Sequence, residues 1–455
     1  MNNGIYRGGL RERKARVKLL MSAVSDFEQE LLDALKTDLD KHEAEATLQE
    51  IYPLKKEAQY TISNLDRWMG KRYASTPLAL FGTRHYVKAE PKGRVLIISP
   101  WNYPLMLTLR PLIGAIAAGN SVVVKPSEHT PTVSGVIKKL LESIFTEDIV
   151  KVELGGAEVA AKLTASHFNH INFTGGTSVG RLVMKSAAEH LCSVTLELGG
   201  KSPTIIDKSA NLKNAALKIS WGKYMNAGQV CIAPDHLLIE KSIETEFTTA
   251  LLNRITTMYG GNPIDSPDLG KIINATHYNR ILRLIKDATE KGATLHVPGG
   301  VLEMGAEKSK ISPCILTGCT LDMAIMQEEI FGPVLPVLTW ETREEAVAII
   351  LRNPYPLALY IFSSKSKNID WFIDNTQSGS TAINEVVIQV ANSDLPFGGI
   401  QSSGMGRSGG QEAFDSFSNL RSFVVQTLPF SFLSLALPPF KVLGITFSRF
   451  ARKWL

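Results

Sequence analysis

Five short apolar runs dictate most of what this chain can fold into. They are RVLIISP (94–100), SVVVKPS (121–127), DIVKVEL (148–154), HINFTG (170–175) and SVTLELGG (193–200). Stretches with helical spacing separate them, at 109–119, 132–145, AEVAAKLTA and 178–191. A strand that is apolar on both faces needs cover on both, which a parallel sheet with crossover helices supplies. The alternation continues from about residue 202 through HLLIEKS to LALYIFSS (357–364), so two α/β regions are expected. A length of 455 residues also exceeds what one core serves. Residues 10–70 read as charged helices, and RHYVKAE (84–90) alternates as a strand or hairpin arm does.

Charge and cysteine usage exclude several classes. Hydrophobic residues make up 44% and charged residues 20%, the balance of a soluble globular protein. The net charge of +5 resides in the tail: no acidic residue follows Asp415, whereas Arg421, Lys441, Arg449, Arg452 and Lys453 do. That leaves no nucleic-acid footprint. The four cysteines, Cys192, Cys231, Cys314 and Cys319, form no CxxC pair, and MNNGIYRGGLRERKARVKLL lacks a secretory apolar core. Free thiols in a reducing, cytoplasmic setting are expected.

Several short motifs carry chemistry, each with a plain structural alternative. NAGQVCIAP (226–234) presents Cys231, which by itself is nucleophile, ligand or simple core. FTGGTSVG (173–180) puts Gly175, Gly176 and Gly180 at a strand-to-helix junction, a turn that suits phosphate at a helix N-terminus. KPSE sets Lys125 and Glu128 at a strand end, where ligands of open parallel sheets bind, or where a solvated loop sits. PWNYP fixes the Asn102 amide between prolines and aromatics. LELGGKSP places Glu197 inside an apolar strand, where a carboxylate needs either a partner or a task. His167 and His170 form an HxxH before a strand with no ligand set around them, so no metal is expected.

Taken in their order and spacing, these motifs together with QEEIFGPVLPV and LPFGGIQSSGMGRSGG closely resemble the NAD(P)-dependent aldehyde dehydrogenase superfamily. PWNYPL, LIGAIAAGNSVVVKPSE, GQVCIAPD, PLALYIFSS and FDSFSNLR resemble its class 3 branch, the medium-chain and fatty aldehyde dehydrogenases, and the likeness covers about residues 5–425. It implies an α/β fold: a Rossmann-type cofactor domain (1–200) with a small β oligomerisation arm (84–92), and a second α/β catalytic domain (201–396). A return segment (397–427) and an apolar-basic tail (428–455) would follow. It further implies Cys231 as nucleophile, Glu197 as general base and Asn102 as oxyanion donor beside the Cys231 backbone N–H. Cofactor contacts would come from Lys125, Glu128, Gly175, Gly176, Gly180, Glu329 and Phe331, and a substrate tunnel from Tyr103, Trp221 and Tyr224. Gly176 departs from the Ser or Asn common there. NAD is the expected cofactor, with NADP left open because class 3 relatives with the same KPSE use both.

The resemblance also implies a homodimer. Two rival activities are less compatible with the residues: an acylating, coenzyme A-dependent enzyme lacks the carboxylate at Glu197, and a non-catalytic scaffold needs none of Cys231, Glu197 and Asn102. In the tail, Phe440, Leu443, Phe447, Phe450 and Trp454 recur at helical spacing among basic residues. That pattern suits peripheral attachment to a membrane surface through 440–455, or a helix packed over the substrate entrance.

Overall fold

Side chains alternate across a strand, so the apolar run at Arg94–Ile98 has to be buried twice. Val95 and Ile97 pack with Val122 and Val124 against the helices Leu10–Asp26, Glu28–Leu39, Tyr52–Met69, Met106–Ala118 and Pro131–Ile144. Leu96, Ile98 and Val123 face the opposite way, into a smaller core with Phe168, Val183 and Leu198. The computed structural model describes residues 8–429 apart from 301, 303 and 306, and beyond them only positions 438, 445, 446, 448, 449 and 452. The amphipathic pattern read over 440–455 therefore lies outside the described residues, save for those scattered positions.

The first sheet has six strands in the order Gly404–Met405, Ser193–Glu197, His170–Thr174, Arg94–Ile98, Ser121–Lys125 and Val150–Val152. Its five sequence-adjacent strands run parallel, and only Gly404–Met405 is antiparallel. The register sets Ile98 beside Lys125 and Thr174 beside Glu197, which brings the motif-bearing strand ends to one edge. A second sheet of seven strands lies in the order Thr294–His296, Cys314–Thr317, Val334–Trp340, His236–Glu240, Pro203–Ile206, Ala358–Phe362 and Ser380–Ile383. It too is parallel except at its first strand. In a third sheet, Thr83–Pro91 pairs along its whole length with Ser418–Gln426 and, on its other side, with Arg72–Ala74. Among the described residues no helix is long and apolar enough to cross a membrane.

The N-terminal helices do more than cover a face. Between Glu43–Ala46 and Tyr52–Met69 the chain makes a π-helical turn, Thr47–Ile51, which carries Glu50 inward. Glu50 is fully buried and accepts from Lys41 Nζ at 2.6 Å. Its other oxygen accepts the Leu105 and Met106 N–H groups, and Lys41 also reaches the Asn102 carbonyl at 3.4 Å. Removing one partner of such a pair strands a buried charge. Lys41→Met should lower unfolding free energy by about 3–5 kcal/mol, read as a reduced midpoint in urea with the slope unchanged. A loss under about 1 kcal/mol would show the pair to be incidental.

Candidate active site

The sequence around Cys231 cannot run as a helix. After Leu212–Tyr224, three successive residues, Asn226, Ala227 and Gly228, adopt left-handed conformations with φ of 48°, 52° and 75°. A Cβ on Gly228 would run into the backbone carbonyl of Gly332, so NAGQVC and IFGP are locked at van der Waals distance. The turn is held from several sides. Asn226 donates to the Asn102 carbonyl at 2.8 Å, Glu45 accepts the Asn226 N–H at 2.6 Å, and Gln229 donates to the Asn226 and Lys271 carbonyls. The Asn102 amide donates one N–H to the Gln229 carbonyl at 3.0 Å. No second hydrogen bond ties that amide among the described residues.

Cys231 and Glu197 open into one cavity of about 490 Å³, whose walls include Tyr103, Trp221, Met106 and Ile388. Cys231 lies in its wall, enclosed at depth although partly open to the cavity. Burial, with the charges of Glu329 and Glu197 added, pushes its thiol up to about 12, while the Cys231 and Ile232 N–H groups pull the other way. Glu197 ends the strand Ser193–Glu197, and its Oε1 is buried with no hydrogen-bond partner. Burial raises that carboxyl to about 7, with Ser408, Arg110 and Arg407 opposing the rise. A carboxyl poised there exchanges protons at neutral pH.

The remaining residues fall into three groups. Lys125 Nζ donates to Glu128 Oε2 at 2.6 Å at the end of Ser121–Lys125; burial is the largest influence on Glu128 and raises it, but this bond, a backbone N–H and the charges of Lys125 and His129 together hold it below its ordinary value. Gly176 caps the helix Thr177–Ala188 without a side-chain hydrogen bond, and nothing stands within 4 Å of where a Cβ would be. Gly175 precedes that cap and donates its N–H to the Glu197 carbonyl at 3.0 Å. This cap, the Lys125–Glu128 pair and the nearby Glu329 fit a dinucleotide: free N–H groups for a pyrophosphate and paired charges for sugar hydroxyls.

Glu329 rests on the Gly199–Gly200 turn just beyond Glu197; burial first, and then the charge of Asp235, push it up to about 8. Arg280 fixes its segment by donating to the Glu329 and Ile330 carbonyls at 3.0 and 2.6 Å. Phe331, at φ 49°, sets its ring edge-on to Trp101 at 5.4 Å.

Two of the expected residues make packing contacts. Gly180 is buried, and a Cβ there would meet the Leu198 side chain at 2.6 Å, so its smallness lets helix and strand pack. Tyr224 is not in the cavity wall: its ring is buried in the second core and its hydroxyl donates to the Cys314 carbonyl at 3.1 Å. Three residues beyond Trp221, it falls on the face of the helix turned toward the strand Cys314–Thr317. His170 bonds with Ser193 and Thr195, and His167 packs against His190, so the HxxH gathers no shared site.

The motif reading missed Arg110, Arg407 and Ser408, which line the cavity around Glu197. Arg110 had a signal: a cation inside the otherwise apolar LTLRPLIGAIAAG.

The chain matches the aldehyde dehydrogenase family over residues 7–423. It is 42% identical to a 4,4'-diaponeurosporen-aldehyde dehydrogenase of Staphylococcus aureus over 94% of this chain and 92% of the relative. Against aldehyde dehydrogenase family 3 member A2 of Macaca fascicularis, identity is 40% over 92% and 85%. Among solved structures, the substrate-bound state of Staphylococcus aureus AldH superposes with a TM-score of 0.92 at 40% identity, covering 97% of this chain and 95% of that one. The P. syringae indole-3-acetaldehyde dehydrogenase AldA, in complex with NAD+, gives 0.84 at 30% identity, covering 93% and 86%.

The geometry makes one firm titration prediction. Carboxylate infrared difference spectra, with Glu197→Gln as the subtraction partner, should place the Glu197 midpoint near pH 7. A midpoint in the usual carboxylate range, near 4.3, would contradict the enclosed environment described.

Proposed function

The chain belongs to the aldehyde dehydrogenase family, and from that premise we propose that it oxidises apolar aldehydes, medium- to long-chain or aromatic, to carboxylic acids through a thioester on Cys231. It is an oxidoreductase of a family that uses NAD(P). The observation that carries the reading is one apolar-walled cavity into which both the Cys231 thiol and the Glu197 carboxylate, with its Oε1 unpartnered, open. Relatives named for diaponeurosporen-aldehyde and indole-3-acetaldehyde support a large, apolar substrate. A cavity of about 490 Å³ with Tyr103 and Trp221 in its wall accommodates one.

In this reading the Cys231 Sγ bonds to the aldehyde carbon and its proton leaves toward Glu197, whose raised pKa suits the acceptor. The free N–H of Asn102 and the backbone N–H of Cys231 stabilise the oxyanion that forms. When bound, the nicotinamide cofactor supplies the acceptor for the hydride. Lys125 and Glu128 would hold its adenosine ribose, Gly175 and Gly176 its pyrophosphate, and Glu329 and Phe331 its nicotinamide ribose. Glu197 gives that proton up to solvent, which a carboxyl titrating near 7 does readily, and then takes one from the water that hydrolyses the thioester, passing it to the departing Cys231 sulfur as the acid is released. A carboxylate at Glu128 favours NAD, with NADP open. The carboxylate at Glu197 argues against coenzyme A as the acceptor.

Homodimers are part of the proposal. Ser418–Gln426 is an edge strand with exposed Leu420, Val424 and Val425, a template for pairing with a second copy. Leu420→Lys combined with Val424→Lys should halve the mass in light scattering. A wild-type chain already monomeric would sink this part.

Activity is tested with a chain-length series of alkanals, decanal among them, and both NAD and NADP. kcat/KM should rise with chain length. Cys231→Ser should retain cofactor binding and lose more than about 1,000-fold in rate, while Cys192→Ser stays active. No NADH or NADPH from the wild-type chain with any aldehyde would refute the reading.

A further inference from the structure

Arg110 is the cation that the assigned chemistry leaves without a task. It sits in the first half of the helix Met106–Ala118 and is 8% exposed. One bond anchors it: Nε donates to Glu57 Oε2 at 3.3 Å. Glu57 itself is fully committed, accepting the Gly410 N–H at 2.6 Å on one oxygen and the Ser393 hydroxyl at 2.8 Å on the other. Among the described residues Arg110 makes no other hydrogen bond, so its Nη1 and Nη2 donors are uncommitted. Gly409, at φ 85°, leaves room for the guanidinium: a Cβ there would stand 2.6 Å from Nη2.

Arg110 lines the same cavity as Glu197, whose Oε1 is the unpartnered acceptor. A buried guanidinium with free donors and a buried carboxylate with a free lone pair thus share one enclosure, without a direct ion pair of 4 Å or less among the described residues. Such a gap between polar groups suits a water that joins them.

We propose that Arg110 is a positioning residue for Glu197: anchored on Glu57, it turns its free Nη donors toward the Glu197 side of the cavity and keeps that carboxylate charged and oriented for activating water. The proposal rests on the reading of Glu197 as the general base. The other groups bearing on that carboxylate are Arg407, Ser408 and Cys231, and farther along the cavity wall Lys56, Glu57 and Asp394. Arg407 is less free than Arg110, because its Nη1 donates to the Gly399 and Gly406 carbonyls at 2.5 and 3.0 Å. Arg407 is pinned to the backbone of its own loop, whereas Arg110 is held at Nε alone and keeps both Nη groups for the cavity. A polar group at the far end of a substrate is a poorer fit for those donors, since an anion there would share the enclosure with Glu197.

The test is the infrared titration of Glu197 in full-length protein, with Glu197→Gln subtracted in each background. In Arg110→Gln the midpoint should move up by roughly one pH unit, the size expected for losing an opposite neighbouring charge. In Arg110→Lys, which keeps the charge, it should stay near the wild-type value. Turnover should follow: a base limb shifted by one unit costs about fivefold in kcat at pH 7 and is recovered at about pH 9. If Arg110→Gln does not fold, the pair Arg110→Gln with Glu57→Gln leaves a neutral partner for Ser393 and Gly410 and is read against Glu57→Gln alone, from which its midpoint should again lie roughly one pH unit higher.

An unmoved midpoint in a folded variant overturns the proposal, as does Arg110→Lys titrating like Arg110→Gln. Failure of the general-base reading looks different: wild-type chain that oxidises no aldehyde, whatever the titration gives.

Discussion

Everything at this site hangs on the backbone carbonyl of Asn102. Two donors converge on it from distant parts of the chain: Lys41 from the N-terminal helices and Asn226 from the loop that carries Cys231. Lys41 can be there because Glu50 neutralises it, and Glu50 can be there because Lys41 and two backbone N–H groups satisfy its oxygens. Taking both charges out of water is costly, and only a fully satisfied arrangement offsets that cost. The outcome is rigidity where it matters: the PWNYP turn and the cysteine turn are held against each other, with the Asn102 amide bonded to the Gln229 carbonyl.

A second joint fastens the far side. Lys201, just past the LELGG turn, pairs with Asp235 and donates to the Ile325 and Glu328 carbonyls, while Asp235 accepts the Ile330 N–H. Three motifs far apart in sequence are thereby pinned by one buried pair. The pairing holds Asp235 well below the usual carboxylate range in spite of burial. The contrast with Glu197 and Glu329 is instructive. All three carboxylates are enclosed, but only Asp235 has a cation in contact, and the other two are lifted toward neutrality. The same burial thus yields a structural anion in one place and proton-exchanging groups in the others.

Most of the fold was legible in the chain. Continuous apolar runs are readable because a parallel strand is covered on both faces, and the runs from 94 to 197 all became strands in one sheet. The positions of the motif residues were legible as well: Lys125 and Glu197 each terminate a strand, the place where open parallel sheets bind ligands. Legibility failed where only direction matters. Trp221 and Tyr224 lie on one helix, yet one lines the cavity and the other is core. The motif around Gly180 likewise gave no sign that its missing side chain makes room for Leu198.

By itself, then, the sequence determined the strand–helix alternation and the short turns that carry Cys231 and Glu197. These depend on local period and residue type, which are written along the chain. Tertiary structure alone decided which charges share an enclosure. Arg110 lies 87 positions from Glu197 in the sequence and Glu57 another 53 before it, yet the docking of two helices on a sheet brings them to one cavity. Burial and charge at a point are sums over all neighbours in space, and no window of sequence contains those neighbours.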